Sequence, residues 1–101
     1  MGYDFHIIRK EHWADDEGPR ISLDEWIVYA ATDTDVKPDS DNPGAENWLV
    51  TNHDDACPIW WDDSGEVVAK NPNQWVVKKM VAIANPLGAR VLGDDGEVYG
   101  V

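Results

Sequence analysis

Three strand-like runs lie between residues 47 and 70 with almost no chain to connect them. They are Asn47-Trp48-Leu49-Val50-Thr51, Pro58-Ile59-Trp60-Trp61-Asp62 and Glu66 to Lys70, joined through Asp54-Asp55-Ala56 and the Asp63-Ser64-Gly65 turn. A parallel crossover needs a dozen residues or more, so connections this short demand antiparallel neighbours. Tyr3 to Lys10 reads as another strand, with Tyr3, Phe5 and Ile7 on one face and Asp4, His6, Ile8 and Lys10 on the other. Ala89-Arg90-Val91-Leu92 and Glu97-Val98-Tyr99, around an Asp95-Gly96 turn, read as a closing hairpin.

Two helices interrupt the strands. Ser22 and Glu25 have the spacing of a capping box, and Ile21 and Trp26 that of a hydrophobic staple. Leu23, Trp26, Ile27 and Ala30 then form an apolar stripe that runs out near Thr32. The second helix is expected to start with Asn71 as cap and Pro72 in its first turn, to bury Val76, Met80, Ile83 and Leu87, and to stop at Pro86 and Gly88. The acidic, proline-bearing stretch Asp33–Gly44 reads as a mobile loop. The 101 residues suit one domain. The expected fold is therefore α+β, in the order β-α-β-β-β-α-β-β. It has a mainly antiparallel sheet of five to six strands and both helices on one face.

Twenty acids against eight bases give a formal charge of −12. A surface this negative disfavours nucleic acid and anionic membranes and favours a basic protein partner. The charge is concentrated: residues 33–63 carry nine acids and one base (−8), whereas residues 64–101 carry four of each. A lone Cys57 excludes an internal disulfide and favours a reducing compartment. The N-terminus lacks the pattern of a signal peptide, and no apolar run is long enough to span a bilayer, so a cytoplasmic protein is expected. Gly2 suggests myristoylation, but His6 stands where that signal needs Ser or Thr.

Catalytic and metal signatures are sparse. His53 and Cys57, with His6 and His12, lack the paired short spacing of a zinc site, and Asp54 and Asp55 oppose a Cys57 thiolate. The pairs Asp15-Asp16, Asp54-Asp55, Asp62-Asp63 and Asp94-Asp95 fall in or beside turns, where water keeps both members ionised. No phosphate-binding glycine loop, nucleophile elbow or metalloprotease helix occurs, and no cofactor is expected. What stands out is Trp48, Trp60 and Trp61 among Asp54, Asp55, Asp62 and Asp63. Alternation sends Trp60 and Trp61 to opposite faces, so one of them needs a cover other than the helices: the Asp33–Gly44 loop or a partner. These seven residues form the candidate partner-binding set, since tryptophan anchors interfaces and acids steer basic partners.

Three stretches carry a resemblance: Tyr3-Asp4-Phe5-His6-Ile7, Ile21-Ser22-Leu23-Asp24-Glu25-Trp26, and Gly88-Ala89-Arg90-Val91-Leu92-Gly93-Asp94-Asp95-Gly96-Glu97-Val98-Tyr99. In these, and in its size and acidity, the chain resembles a group of small acidic bacterial proteins that look like immunity proteins of secreted antibacterial toxins. The resemblance implies neutralisation of a toxin acting in the cytoplasm by occlusion of its active site, and it implies no catalytic residues. The alternatives are a structural or regulatory interaction protein, for example a homodimer, and a small enzyme or metal-binding protein.

Overall fold

The computed structural model describes residues 3–99. Met1 and Gly2, on which the lipidation reading turns, lie outside them. Among the described residues the chain forms β1 (Asp4–Ile8), α1 (Leu23–Thr32), β2 (Val36–Pro38), β3 (Asn47–Asn52), β4 (Asp55–Asp62), β5 (Glu66–Lys70), α2 (Gln74–Ala84), β6 (Arg90–Gly93) and β7 (Val98–Tyr99). All the strands join one sheet in the order β2-β3-β4-β5-β1-β6-β7, and every pairing is antiparallel. The α+β architecture follows the expectation, with one strand more than foreseen.

The extra strand comes from the stretch expected to be a loop. Val36 to Pro38 pairs with Trp48 to Val50 at the sheet edge. The turn after it is built on buried Asp39, whose carboxylate accepts from the Asp41 N–H and the Asn42 side chain. Proline survives there because one side of an edge strand needs no ladder donor.

The first helix forms as the capping signals require. The Ser22 hydroxyl accepts from the Glu25 N–H, and the Glu25 carboxylate accepts from the Ser22 N–H. The second helix starts two residues later than expected. Asn71 has a φ of 48° and donates its N–H to the Tyr3 carbonyl, so it ends β5, and Asn73 becomes the cap. Gly65 (φ 88°) closes the β4–β5 hairpin, where an added Cβ would lie 2.5 Å from Arg20 Cβ.

Both helices cover the same face. Trp26 and Ala30 of α1 meet Val76, Met80 and Ile83 of α2 over Ile7, Val50, Ile59, Val67, Ala69 and Val91. The register puts Phe5, Trp48 and Trp61 on this face, and His6, Leu49, Trp60, Asp62, Glu66, Val68 and Leu92 on the opposite one. Part of that back face is crossed by residues 9–20, here called the strap. Arg9 Nη1 donates to the Arg20 carbonyl at 2.9 Å and so joins its two ends. The Ile21 N–H, donated to the Gly65 carbonyl at 2.9 Å, fixes its exit. With cover on both sides, β1 buries His6, Ile7 and Ile8 in succession. No helix among the described residues is long and apolar enough to cross a membrane.

Candidate functional site

The acidic third of the chain stays together in space because its strands are sheet neighbours. Residues 33–63 supply β2, β3 and β4, which form one lateral side of the sheet. Asp33 and Asp35 are tied to Lys79 at 2.9 and 3.1 Å. Burial raises the Asp33 carboxyl, but hydrogen bonds from Tyr29 and Lys79 outweigh it and hold its pKa low. Lys79 is in turn held above its ordinary value, because those carboxylates outweigh the effect of burial. Of the twenty acids, Glu25, Asp33, Asp35, Glu66 and Asp94 have ion-pair partners among the described residues, which leaves fifteen without one. Those fifteen dominate the field around the molecule.

Within that side, the seven candidate residues do not form one patch. Asp54 and Asp55 sit at the β3–β4 turn, where His53 takes a φ of 52°. Asp62 and Asp63 sit at the other end of β4, about 23 Å away for seven steps of roughly 3.3 Å. Asp55 also accepts from the Trp75 indole N–H at 3.3 Å. Trp48 packs edge-on against Trp26 under the helices and donates to the Ala45 carbonyl at 2.8 Å. Trp61 packs on the core and donates to the Ile21 carbonyl at 2.8 Å.

Trp60 differs from the rest. It lies half-buried on the back face, beside half-buried Leu49 and exposed Pro58. The strap passes over the other half of this face, and Asp39 and Asn42 of the Asp33–Gly44 stretch share a small cleft with Trp60. Trp13, Trp26, Trp48, Trp61 and Trp75 each donate their indole N–H to a protein oxygen. The Trp60 N–H has no acceptor among the described residues and is not one of the sealed, unsatisfied polar atoms. It therefore faces water, as the polar handle of an interface tryptophan does.

A second constellation escaped sequence reasoning. His6, only 5% exposed, places Nδ1 2.6 Å from Glu66 Oε1 and Nε2 2.8 Å from Asp94 Oδ1. A neutral imidazole has one N–H and satisfies one carboxylate, so this geometry calls for the imidazolium, donating from both nitrogens. Burial pushes the imidazole pKa down, but the hydrogen bonds to Glu66 and Asp94 outweigh it and hold the value above the ordinary one. Trp13 of the strap stacks on the ring at 4.6 Å and 3°. Its indole N–H donates to the Asp94 carbonyl at 3.0 Å. Lys10, 2% exposed, sends its ammonium to the Asp15 carbonyl at 2.8 Å and to within 3.8 Å of Glu66 Oε2. Two cations and two carboxylates thus sit together beneath the strap. The alternation of Asp4, His6, Ile8 and Lys10 located one wall, but only folding brings Glu66 and Asp94 to it.

His6 is closed off by Trp13, and no nucleophile touches it. Burial, then the Asp55 charge, pushes the Cys57 thiol above its ordinary pKa, which leaves it a poor nucleophile. His6 lies two strands from β4, about 10 Å across the sheet, and on the opposite face from Cys57, and it is farther still from His53 in the β3–β4 turn, so the three do not meet. Among the described residues no group of three or more His, Cys, Asp or Glu is placed to hold a metal ion. A concavity of about 670 Å³ between α2 and the β1–β7 side is walled by Phe5, Val77, Val81 and Tyr99 and has Lys78 and Tyr99 as its ionisable groups.

The fold and site define a two-layer α+β domain with one charged side and a partly open sheet face. No family model, no curated protein and no solved structure matches this chain.

Proposed function

We propose that the protein works by binding a basic protein rather than by catalysis. In this reading it is an inhibitor of the immunity type, which neutralises a toxin domain acting in the bacterial cytoplasm. The observation that carries it is the joint position of two features. The −8 segment folds as the contiguous strands β2, β3 and β4, and that side of the sheet presents Trp60 with its N–H free. Acidic fields speed the encounter with a basic partner, and a half-buried indole on a sheet face is the anchor type found at interface hot spots. Asp62, on the same face as Trp60, and neighbouring Asp63 flank that anchor. Asp54, Asp55, Trp48 and Trp61 act through the field or the fold, since the last two face the helices. Pro38 and Lys37 on β2 weigh against the homodimer alternative at this edge, because both disfavour strand addition.

The test is co-expression with the product of the neighbouring gene, followed by titration calorimetry of the purified pair. A stoichiometric complex that loosens at least about 30-fold on Trp60→Ala, the effect of losing a hot spot of about 2 kcal/mol, supports the reading. A free monomer that ignores its neighbour, or a complex indifferent to both Trp60→Ala and added salt, sinks it.

A further inference from the structure

We propose that His6 is a proton-operated latch that holds the strap on the back face and so sets how much of that face is open beside Trp60. The register row across the sheet runs Trp60, Val68, His6, Leu92, so the latch and the candidate anchor share one surface two strands apart. Ile8, Val68 and Leu92 are buried on this face around His6, on which Trp13 of the strap stacks. Lifting residues 9–20 would add them to the Trp60 surface.

The charges around the ring fix the direction of the switch. Facing His6 are Glu66 from β5, Asp94 after β6 and Lys10 from the strap, while His12 of the strap stacks on Trp13 rather than on His6. Arg90 of β6 donates to the Lys10 carbonyl at 2.5 Å. Asp4 and Lys70 stand two register rows away on the same face, and Asp62 of β4 stands opposite Glu66. With His6 protonated, its cation and that of Lys10 balance Glu66 and Asp94, and the imidazolium stacks on Trp13. Removing the proton leaves a net negative charge under cover and turns a bare nitrogen lone pair toward a carboxylate 2.6 or 2.8 Å away. On the Glu66 side, where both side chains are buried, the closed strap leaves little water to supply the missing donor. Closure is therefore favoured while His6 keeps its proton and weakens as pH rises through its raised pKa.

That the uncovered surface serves docking rests on the reading above; the latch itself rests on the His6 cluster. The experiment uses the whole protein and two NMR readouts, the His6 ring titration and the exchange rate of the Trp13 indole N–H with solvent. His6 is expected to titrate above the ordinary histidine value. Once intrinsic exchange is corrected for, Trp13 protection should fall by up to about tenfold per pH unit beyond that point, as one linked proton requires. His6→Gln should show low protection that no longer depends on pH, while His12→Gln keeps the wild-type profile. Trp13 protection that stays flat while His6 titrates, or an unshifted His6, overturns the latch, and the wild-type measurement decides even if His6→Gln fails to fold. If Trp60→Ala leaves the complex intact, the docking reading fails while both latch readouts stand.

Discussion

Replacing Lys10 with methionine tests the buried cluster most directly. The substitution keeps the length of the side chain and removes its charge at a position only 2% exposed. At 3.8 Å from Glu66 Oε2 the pair attraction is about 4 kcal/mol at an effective dielectric of about 20. The ammonium also donates to the Asp15 carbonyl at 2.8 Å, a charged hydrogen bond of about 1.5–3 kcal/mol. Relief of the lysine's own desolvation offsets part of both, so the net loss should be about 3–5 kcal/mol, as for other buried pairs broken on one side. That is a large share of the roughly 5–15 kcal/mol that holds a domain together. Glu66→Gln alone should also be costly, because it leaves two cations facing Asp94. The double variant Lys10→Met, Glu66→Gln restores neutrality and should recover much of the loss. Urea unfolding at pH 6, where His6 keeps its proton, measures all four proteins. A cost below about 1 kcal/mol for Lys10→Met, or strict additivity in the double variant, would refute the picture of a dry, charge-balanced cluster.

Four further outcomes are expected. Trp61→Ala should destabilise the protein by about 3 kcal/mol through lost core packing and the lost bond to Ile21, whereas Trp60→Ala should cost only about 1 kcal/mol; thermal melts that rank them the other way would reverse the assignment of faces. Ser22→Ala removes half of the capping box and should cost about 1 kcal/mol, read as a melting temperature about 4–8 °C lower. On the acid side, hydrogen bonds from Arg9 and the Ser22 N–H hold the Glu25 carboxyl at about 2, and Asp33 and Asp94 are also depressed. Their stabilisation is present above their unfolded values and disappears as pH falls through the folded ones, so urea midpoints should drop between about pH 4.5 and 2, less steeply in Glu25→Gln. Cys57, its thiol pKa raised, should react with a thiol reagent at pH 7.5 more slowly than free cysteine; equal or faster labelling would contradict its half-buried placement.

Local chemistry was legible wherever one segment sufficed to define it. Ser22 and Glu25 announced α1 because both partners of the capping box lie within four residues. The period of two across residues 3–10 assigned Phe5 and Ile7 to one face and His6 and Lys10 to the other. Asn71 misled because asparagine suits a helix cap and a left-handed strand exit equally well, and the Tyr3 carbonyl, 68 positions away in the chain, chose the second. The same distance problem hid β2: Val36-Lys37-Pro38 is too short and too interrupted to signal a strand until β3 lies beside it.

What the amino-acid sequence determined by itself was the set of elements apart from β2, their antiparallel pairing through short turns, the acidity of residues 33–63, and the opposition of Trp60 and Trp61. Each follows from neighbours within a few residues, where turn geometry and side-chain period leave little choice. Tertiary structure alone decided that β1 enters the middle of the sheet, that Asp55 and Asp62 stand at opposite ends of one strand, and that His6 meets Glu66 and Asp94. Such meetings depend on strand order, which is set by how whole faces bury against one another and leaves no mark on any short stretch of chain.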